Sequence, residues 1–274
     1  MGKWENEIEA AVSILSKAKR ASASSGAGMS EESGIPTFRD PGGLWEEINP
    51  IEAGTVRGLI NTLEKNAGKI IPVFLKMLDS FEKAEPNPGH TALFDLEEMG
   101  ILKTVITQNV DNLHKEAGTA DLIEVHGNLF RMVCLRCGRQ KTVDRKSYVR
   151  SIRDKLKSFT AYDFNRLISL AEVCDHCDSI MRPDVVMFGE AVKGLQRAFN
   201  TSLHSDVMLV LGTSGVVYPA ASFPIEAKNN GARIIVINPS ENGFQNYTDV
   251  YIPMKTGEAL PIIVEKIRNN KGKN

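Results

Sequence analysis

The 274-residue chain predicts an α/β protein: a Rossmann-like, doubly wound parallel sheet with a smaller zinc-ribbon and helical domain. Three observations carry this. Short β-branched runs alternate with helical patterns, as in a parallel sheet covered on both faces. A G-x-G stands at Gly26 and Gly28, where a dinucleotide-binding unit places its diphosphate turn. All four cysteines fall in two C-x-x-C pairs, Cys134/Cys137 and Cys174/Cys177.

The first helix is predicted over residues 5–19, because Ile8, Val12 and Leu15 share one face. Residues 20–25, RASASS, hold no large apolar side chain. By themselves they read as a loop, and as a strand only because the G-x-G follows. Glu31 stands where a dehydrogenase puts its third glycine, so half of a dinucleotide signature leads into something other than a redox dehydrogenase. A helical pattern over 91–99 precedes the run LKTVIT at 102–107; VMLVL at 207–211 and RIIVI at 233–237 flank a helical pattern over 219–229. These three runs end at Gln108-Asn109, Gly212 and Asn238. Ligands bind beyond the carboxyl ends of such strands, so the three polar ends are expected to converge on one crevice.

Residues 107–114, TQNVDNLH, deliver Gln108, Asn109 and Asp111 to the mouth of that crevice. Asn and Asp are also ordinary helix caps, but three such groups within four residues exceed capping needs. Residues 122–127, LIEVHG, end on His126 ahead of a glycine and the cysteine module, at a seam between domains where sites collect.

Each C-x-x-C can place two thiolates on one metal, and two pairs complete a tetrahedron. Four thiolates leave no open position, so one structural zinc is expected rather than a catalytic one. Disulfides are the bland alternative, and they are rare in reducing compartments. His176, between Cys174 and Cys177, could compete as a ligand; with four cysteines present it is read as a surface histidine. Between the pairs, Val149, Ile152 and Leu156 have helical spacing, which predicts a helical insertion.

Composition bounds the partners. Apolar residues make up 42% and charged residues 24%, as in a soluble globular protein, and the net charge of −1 gives no global field toward nucleic acid or anionic membrane. No apolar run approaches the ~18 residues of a membrane span. The segment MGKWENEIEA lacks the apolar centre of a secretory signal, and Asn6 stands where N-myristoylation needs Ser or Thr. A cytoplasmic location is expected, with the nucleus also open. Lys266, Arg268, Lys271 and Lys273 read as a frayed, solvated end.

GAGMSEESGIPTFR, TQNVDNLH, VHG, the paired C-x-x-C, RPDVVMFGE, GTSGVVYPA and INP occur in that order. Together, over roughly residues 25–258, they resemble the sirtuins, NAD-dependent protein lysine deacylases. The resemblance implies that Gly26, Ala27, Gly28 and Ser30 surround the NAD diphosphate and ribose. Phe38 and Arg39 would belong to a cofactor-binding loop running to Trp45. Asp111 would hold the nicotinamide carboxamide, with Ile35 and Gln108 nearby. Gly212, Thr213, Ser214, Asn238, Pro239 and Ser240 would line the adenosine side, and Thr256 would make the last adenine contact. His126 would act as general base on a ribose hydroxyl after the acyl-lysine oxygen has displaced nicotinamide, and Asn109 would orient the ribose and a water. The products implied are free lysine and O-acyl-ADP-ribose. An acyl peptide would add as a strand, with Val185 or Val186 giving backbone contacts and Phe188 and His126 walling the acyl tunnel.

Some relatives that prefer succinyl or malonyl groups carry a Tyr and an Arg ahead of P-N-x-x-H. Counting back from Pro86–His90 puts Phe74 and Met77 there, and neither clamps a carboxylate. Acetyl or longer apolar acyl groups are therefore expected. Residues 1–45, 86–130 and 184–274 are assigned to the NAD-binding domain. Residues 46–85 and 131–183 form the small domain. Acyl-lysine proteins or peptides are the expected partners. Protein mono-ADP-ribosylation is the alternative activity, using the same bond cleavage; the presence of both His126 and Asn109 favours deacylation.

Overall fold

The computed structural model describes residues 4–37, 54–159 and 164–271. Phe38, Arg39 and Trp45, expected in the cofactor loop, lie outside the described residues. Six parallel strands form the main sheet in the order β3-β2-β1-β7-β8-β9. They are β1 (Ala21–Ser25), β2 (Leu102–Thr107), β3 (Leu122–Glu124), β7 (Val207–Leu211), β8 (Arg233–Ile237) and β9 (Val250–Ile252). The small sheet, ordered β5-β4-β6, is antiparallel and consists of β4 (Gly127–Cys134), β5 (Gln140–Thr142) and β6 (Met181–Val185).

The strand runs become central strands because they are apolar on both sides. Every residue of β7 is buried, and only Arg233 is exposed in β8. One face is covered by α1 (Glu5–Lys17), α3 (Pro88–Glu98) and α9 (Thr256–Lys271). Ile8, Val12, Leu15, Leu93, Leu96, Ile263 and Ile267 pack there against Leu209, Leu211, Ile235 and Ile237. The other face takes α7 (Leu195–His204) and α8 (Ser222–Asn229), with Phe223 and Ala227 set against Val210, Ile234 and Val236. Two-sided burial is what the continuous apolar runs required.

RASASS does form a strand, and a central one, paired with β7 on one edge and with β2 on the other, where the register shifts between Ala21 and Ser22. Its side chains are small because they work by hydrogen bonding and close packing rather than by bulk. Ala21 and Ala23 enter the first core. The hydroxyl of Ser22 lies 2.7 Å from that of Ser205 at the end of α7. Ser25 bonds the hydroxyl of Thr107 at 2.9 Å and His114 Nε2 at 2.9 Å. No local signal announces this strand; its neighbours' ladders do.

The basic end of the chain is not frayed through Lys271. It continues α9, whose apolar face (Leu260, Ile263, Val264, Ile267) is fully buried. Lys266 pairs with Glu5 at 2.7 Å and Glu9 at 2.6 Å on α1, and Arg268 with Asp95 on α3 at 2.8 Å. The period of the apolar residues outweighs the local charge.

The small unit gathers α2 (Val56–Lys83), α5 (Arg145–Ser158) and α6 (Phe164–Ile168) beside the small sheet. The predicted insertion helix is α5; its Leu156 packs with Ala67 and Ile71 of α2, and its Val149 with Phe81 and Phe130. Among the described residues, no helix is long and apolar enough to cross a membrane.

Candidate active site at the switch point of the sheet

Strand order reverses between β1 and β7, because β1 continues to β2 on one side while β7 continues to β8 on the other. A crevice at such a point is where open α/β sheets bind ligands. After β1 the chain turns through Ala27–Met29, and after β7 through Gly212 to Ser214. The two turns are laced together: Gly26 N–H donates to the Leu211 carbonyl at 3.0 Å and Gly28 N–H to the Gly212 carbonyl at 2.8 Å. A Cβ on Gly28 would sit 2.9 Å from Gly212 Cα, so this glycine is required by backbone against backbone. Met29 and Ser30 N–H turn back onto the carbonyls of Gly26 and Ala27. That leaves the first amide of the turn, Ala27 N–H, without a partner within it, which suits a diphosphate oxygen.

Beside this turn the expected polar residues converge. Ser30 Oγ donates to Asp111 Oδ2 at 2.6 Å and accepts from Asn109 Nδ2 at 3.0 Å. Asp111 Oδ1 accepts from Leu113 N–H at 2.9 Å, so Asp111 also caps the short helix α4 (Leu113–Glu116). Capping and site chemistry are served by the same carboxyl. Burial pushes the Asp111 carboxyl up, against the bonds from Ser30 and Leu113 that favour its charged form. Gln108 Nε2 reaches across to Thr213 Oγ1 at 3.2 Å, joining the β2 and β7 turns.

His126 Nδ1 lies 3.1 Å from the Gln108 carbonyl oxygen. A carbonyl can only accept, so the proton sits on Nδ1 and Nε2 keeps its lone pair. Burial lowers the His126 pKa, partly countered by that bond, which keeps the ring neutral. The glycine after it is obligatory: Gly127 has φ +80°, and a Cβ there would meet the Asp184 carbonyl oxygen. Close approach of β4 to β6 is thus what places His126 at the seam.

Of the residues expected to meet the substrate, Val185 ends β6 opposite Gly127, and Val186 N–H donates to the His126 carbonyl at 2.9 Å. Phe188 N–H donates to the Gly54 carbonyl at 2.8 Å, and its ring is 54% exposed. Tyr218 and Val216 are also exposed. Ile35 packs with the Phe81, Phe130 and Val149 group, beside Met77. Of the residues expected to line adenosine, Asn238 N–H donates to the Ile252 carbonyl and its side chain to the Ser240 carbonyl; Pro239, Ser240 and Ser214 are exposed. Thr256 opens α9 with its hydroxyl buried and without a partner, a polar atom left for a ligand.

Sequence reasoning missed the supports behind this site. Asn87 donates to the Met29 carbonyl at 2.8 Å and to Ser33 Oγ at 3.0 Å while its own oxygen caps α3. His90 Nδ1 closes the capping box on Asn87 N–H, and His90 meets the His114 ring edge-on at 4.8 Å between centroids. The N-x-x-H spacing of Asn87 and His90 before an apolar run was the available signal.

The four cysteine sulfurs lie within 4.8 Å of one another, with Cys134 to Cys177 at 3.5 Å and Cys137 to Cys174 at 3.6 Å. A disulfide would need about 2.05 Å, whereas a tetrahedral zinc with 2.3 Å bonds sets its sulfurs about 3.8 Å apart. The amides of Cys137 and Arg136 each point at Cys134 Sγ from 3.4 Å and hold its thiol at about 6. Although a bond from Ser179 N–H favours the Cys177 thiolate, burial and the neighbouring sulfurs push it up to about 12. Four thiolates this close need a cation, and zinc fits the donor set. Among the described residues, no histidine joins the cluster.

The Sir2 family model matches residues 26–219. The chain is similar to the NAD-dependent protein deacylase of Desulfosudis oleivorans, 52% identical over 264 residues and covering 96% of this chain and 97% of that protein. A solved Sir2 enzyme superposes with a TM-score of 0.78 at 38% identity, covering 97% of this chain and 99% of that one. The crystal structure of a Sir2 homologue in complex with NAD superposes with a TM-score of 0.77 at 34% identity, covering 96% of this chain and 94% of that one. The sheet's switch point, the four-cysteine cluster and similarity along nearly the whole chain lead to one conclusion: the protein belongs to the Sir2 family.

Proposed function

We propose that the protein is an NAD-dependent protein lysine deacylase. The observation that carries this is the bond from His126 Nδ1 to the carbonyl of Gln108, the residue before Asn109, which leaves Nε2 its lone pair, while Asn109 and Asp111 are joined through Ser30 after the same strand. The similarity to a named deacylase and to an NAD complex supports the choice of reaction and co-substrate.

NAD, when bound, supplies an anomeric carbon that an acyl-lysine oxygen can attack as nicotinamide departs. The Ala27 amide and Ser30 serve the diphosphate and ribose, Thr213 the adenosine side, and Thr256 the adenine end. Asp111, with Ile35 and Gln108, holds the nicotinamide carboxamide. Asn109 orients the ribose. His126 takes the proton of a ribose hydroxyl on Nε2 and thereby makes that oxygen able to capture the acyl carbon. The Gln108 carbonyl stabilises the imidazolium that results. No step needs a metal ligand position, so the zinc belongs to the small domain's folding.

The acyl peptide enters as a strand beside Val185 and Val186, with Phe188 and His126 on the acyl chain. Met77 sits in an apolar group with Ile35 and Phe130, and Phe74 packs with Ile70 and Leu63. Neither can pair with a carboxylate, which supports acetyl or apolar acyl groups over succinyl or malonyl. The domain division at 1–45, 86–130 and 184–274 against 46–85 and 131–183 is part of the same reading.

An acyl-peptide panel with NAD tests it, following nicotinamide and O-acyl-ADP-ribose by mass spectrometry. Stoichiometric release of both from acetyl peptide is expected, with slower turnover of succinyl peptide. Transfer of ADP-ribose to protein without deacylation would defeat it.

A further inference from the structure

The helical insertion between the cysteine pairs has no part in the reaction described above, yet its first residue reaches α4, the helix that starts just after Asp111. Arg145 opens α5 and its side chain is only 1% exposed. Its guanidinium grips two elements at once, α4 and the end of α2. Nε and Nη2 take both oxygens of Glu116 at 2.8 and 2.6 Å. Nη2 also donates to the Ala84 carbonyl at 2.8 Å, and Nη1 to the Phe81 carbonyl, closing the end of α2. One planar fork makes four hydrogen bonds, which the three donors of a lysine could not reproduce.

Glu116 passes the contact on. Its Oε1 accepts from Asn112 Nδ2 at 3.0 Å, and Asn112 Oδ1 accepts in turn from Asn128 Nδ2 at 2.9 Å. Asn112 directly follows Asp111 and stands at φ +72°, the left-handed residue from which α4 starts. The turn that presents Asp111 is therefore held from behind by a side chain of the insertion. Arg145 is also a cation that favours the charged form of the buried Asp111 carboxyl.

We propose that Arg145 is a positioning residue for the nicotinamide end of NAD, acting through Glu116 and Asn112 on the turn that carries Asp111. The insertion then serves as a brace that fixes the small domain and the nicotinamide turn in one geometry. This rests on the deacylase reading and on Asp111 meeting the carboxamide. ADP-ribose lacks nicotinamide and gains nothing from the brace.

The test compares wild type, Arg145→Met and Asn112→Gly. Asn112→Gly keeps the left-handed backbone and the Arg145–Glu116 pair but cuts the link between them and the turn. NAD and ADP-ribose affinities are measured by calorimetry, and KM and kcat for NAD by turnover of acetyl peptide. Both variants should weaken NAD about tenfold, with ADP-ribose within about twofold, a coupling of the usual size for packed networks. The double variant should be no worse than the weaker single, because both cut one chain of contacts. Equal loss of NAD and ADP-ribose, unchanged NAD affinity in Asn112→Gly, or additive effects in the double variant would overturn the proposal. A wild-type protein that binds neither nucleotide overturns the deacylase reading, and the proposal with it.

Discussion

The Gln108 carbonyl oxygen lies 3.1 Å from His126 Nδ1, and it decides which ring nitrogen keeps its lone pair. Two consecutive strands, β2 and β3, end side by side to make this contact. The bond fixes the tautomer, and burial keeps the ring neutral.

Deacylation should therefore rise through a midpoint below the ordinary histidine value of 6.5 and stay level to about pH 8. His126→Ala should lose turnover by a factor of about 100 or more while its melting temperature stays near wild type. A pH–rate profile with a midpoint above 6.5, or an alanine variant with full turnover, contradicts the assignment.

Acid should unfold the protein through its histidine pair. Burial lowers His90 to about 4 and His114 well below 6.5. The unfolded chain takes up these protons at 6.5 while the folded one resists, so stability falls as pH drops below 6.5. His90 alone accounts for about 3 kcal/mol between pH 6.5 and 4. Urea unfolding across that range measures the slope, which His90→Gln should flatten.

Removing the metal should loosen the small domain first. Cys134 and Cys174 are buried with Met132 and Met181, so the cluster is also that sheet's core. Cys174→Ala should bind no zinc, melt lower and be cut by protease between residues 130 and 185. A metal-free protein that keeps its melting temperature would show the cluster to be dispensable.

Gly28→Ala tests the cradle. Its Cβ would press on Gly212 Cα at 2.9 Å and Gly212 O at 3.0 Å, backbone atoms that cannot swing away. A loss of about 1–3 kcal/mol in stability is expected, together with weaker NAD binding. An alanine variant that binds and melts as wild type would mean the two turns can part freely.

Most of this architecture was legible in local pattern. The runs at 102–107, 207–211 and 233–237 became β2, β7 and β8 with those limits, because a strand buried on both faces must be apolar throughout. The cysteine pairs declared their cluster by spacing alone. RASASS gave no such signal: its stability comes from ladders to β2 and β7 and from hydroxyl bonds to Ser205, Thr107 and His114, all far away in the chain. The basic end misled for the opposite reason, since its charges find partners only once α1 and α3 lie beside α9.

The sequence by itself determined the element order, the metal donors and the residue types that the reaction needs, since those follow from periodicity and from the chemistry of each side chain. Only the tertiary structure decided how they work together. It set the tautomer of His126, joined Asn109, Ser30 and Asp111 into one group, and brought Arg145 behind the turn that carries Asp111. Hydrogen bonds act over about 3 Å, and the residues they join here stand tens of positions apart. Spacing along the chain carries no record of such contacts until the sheet closes them.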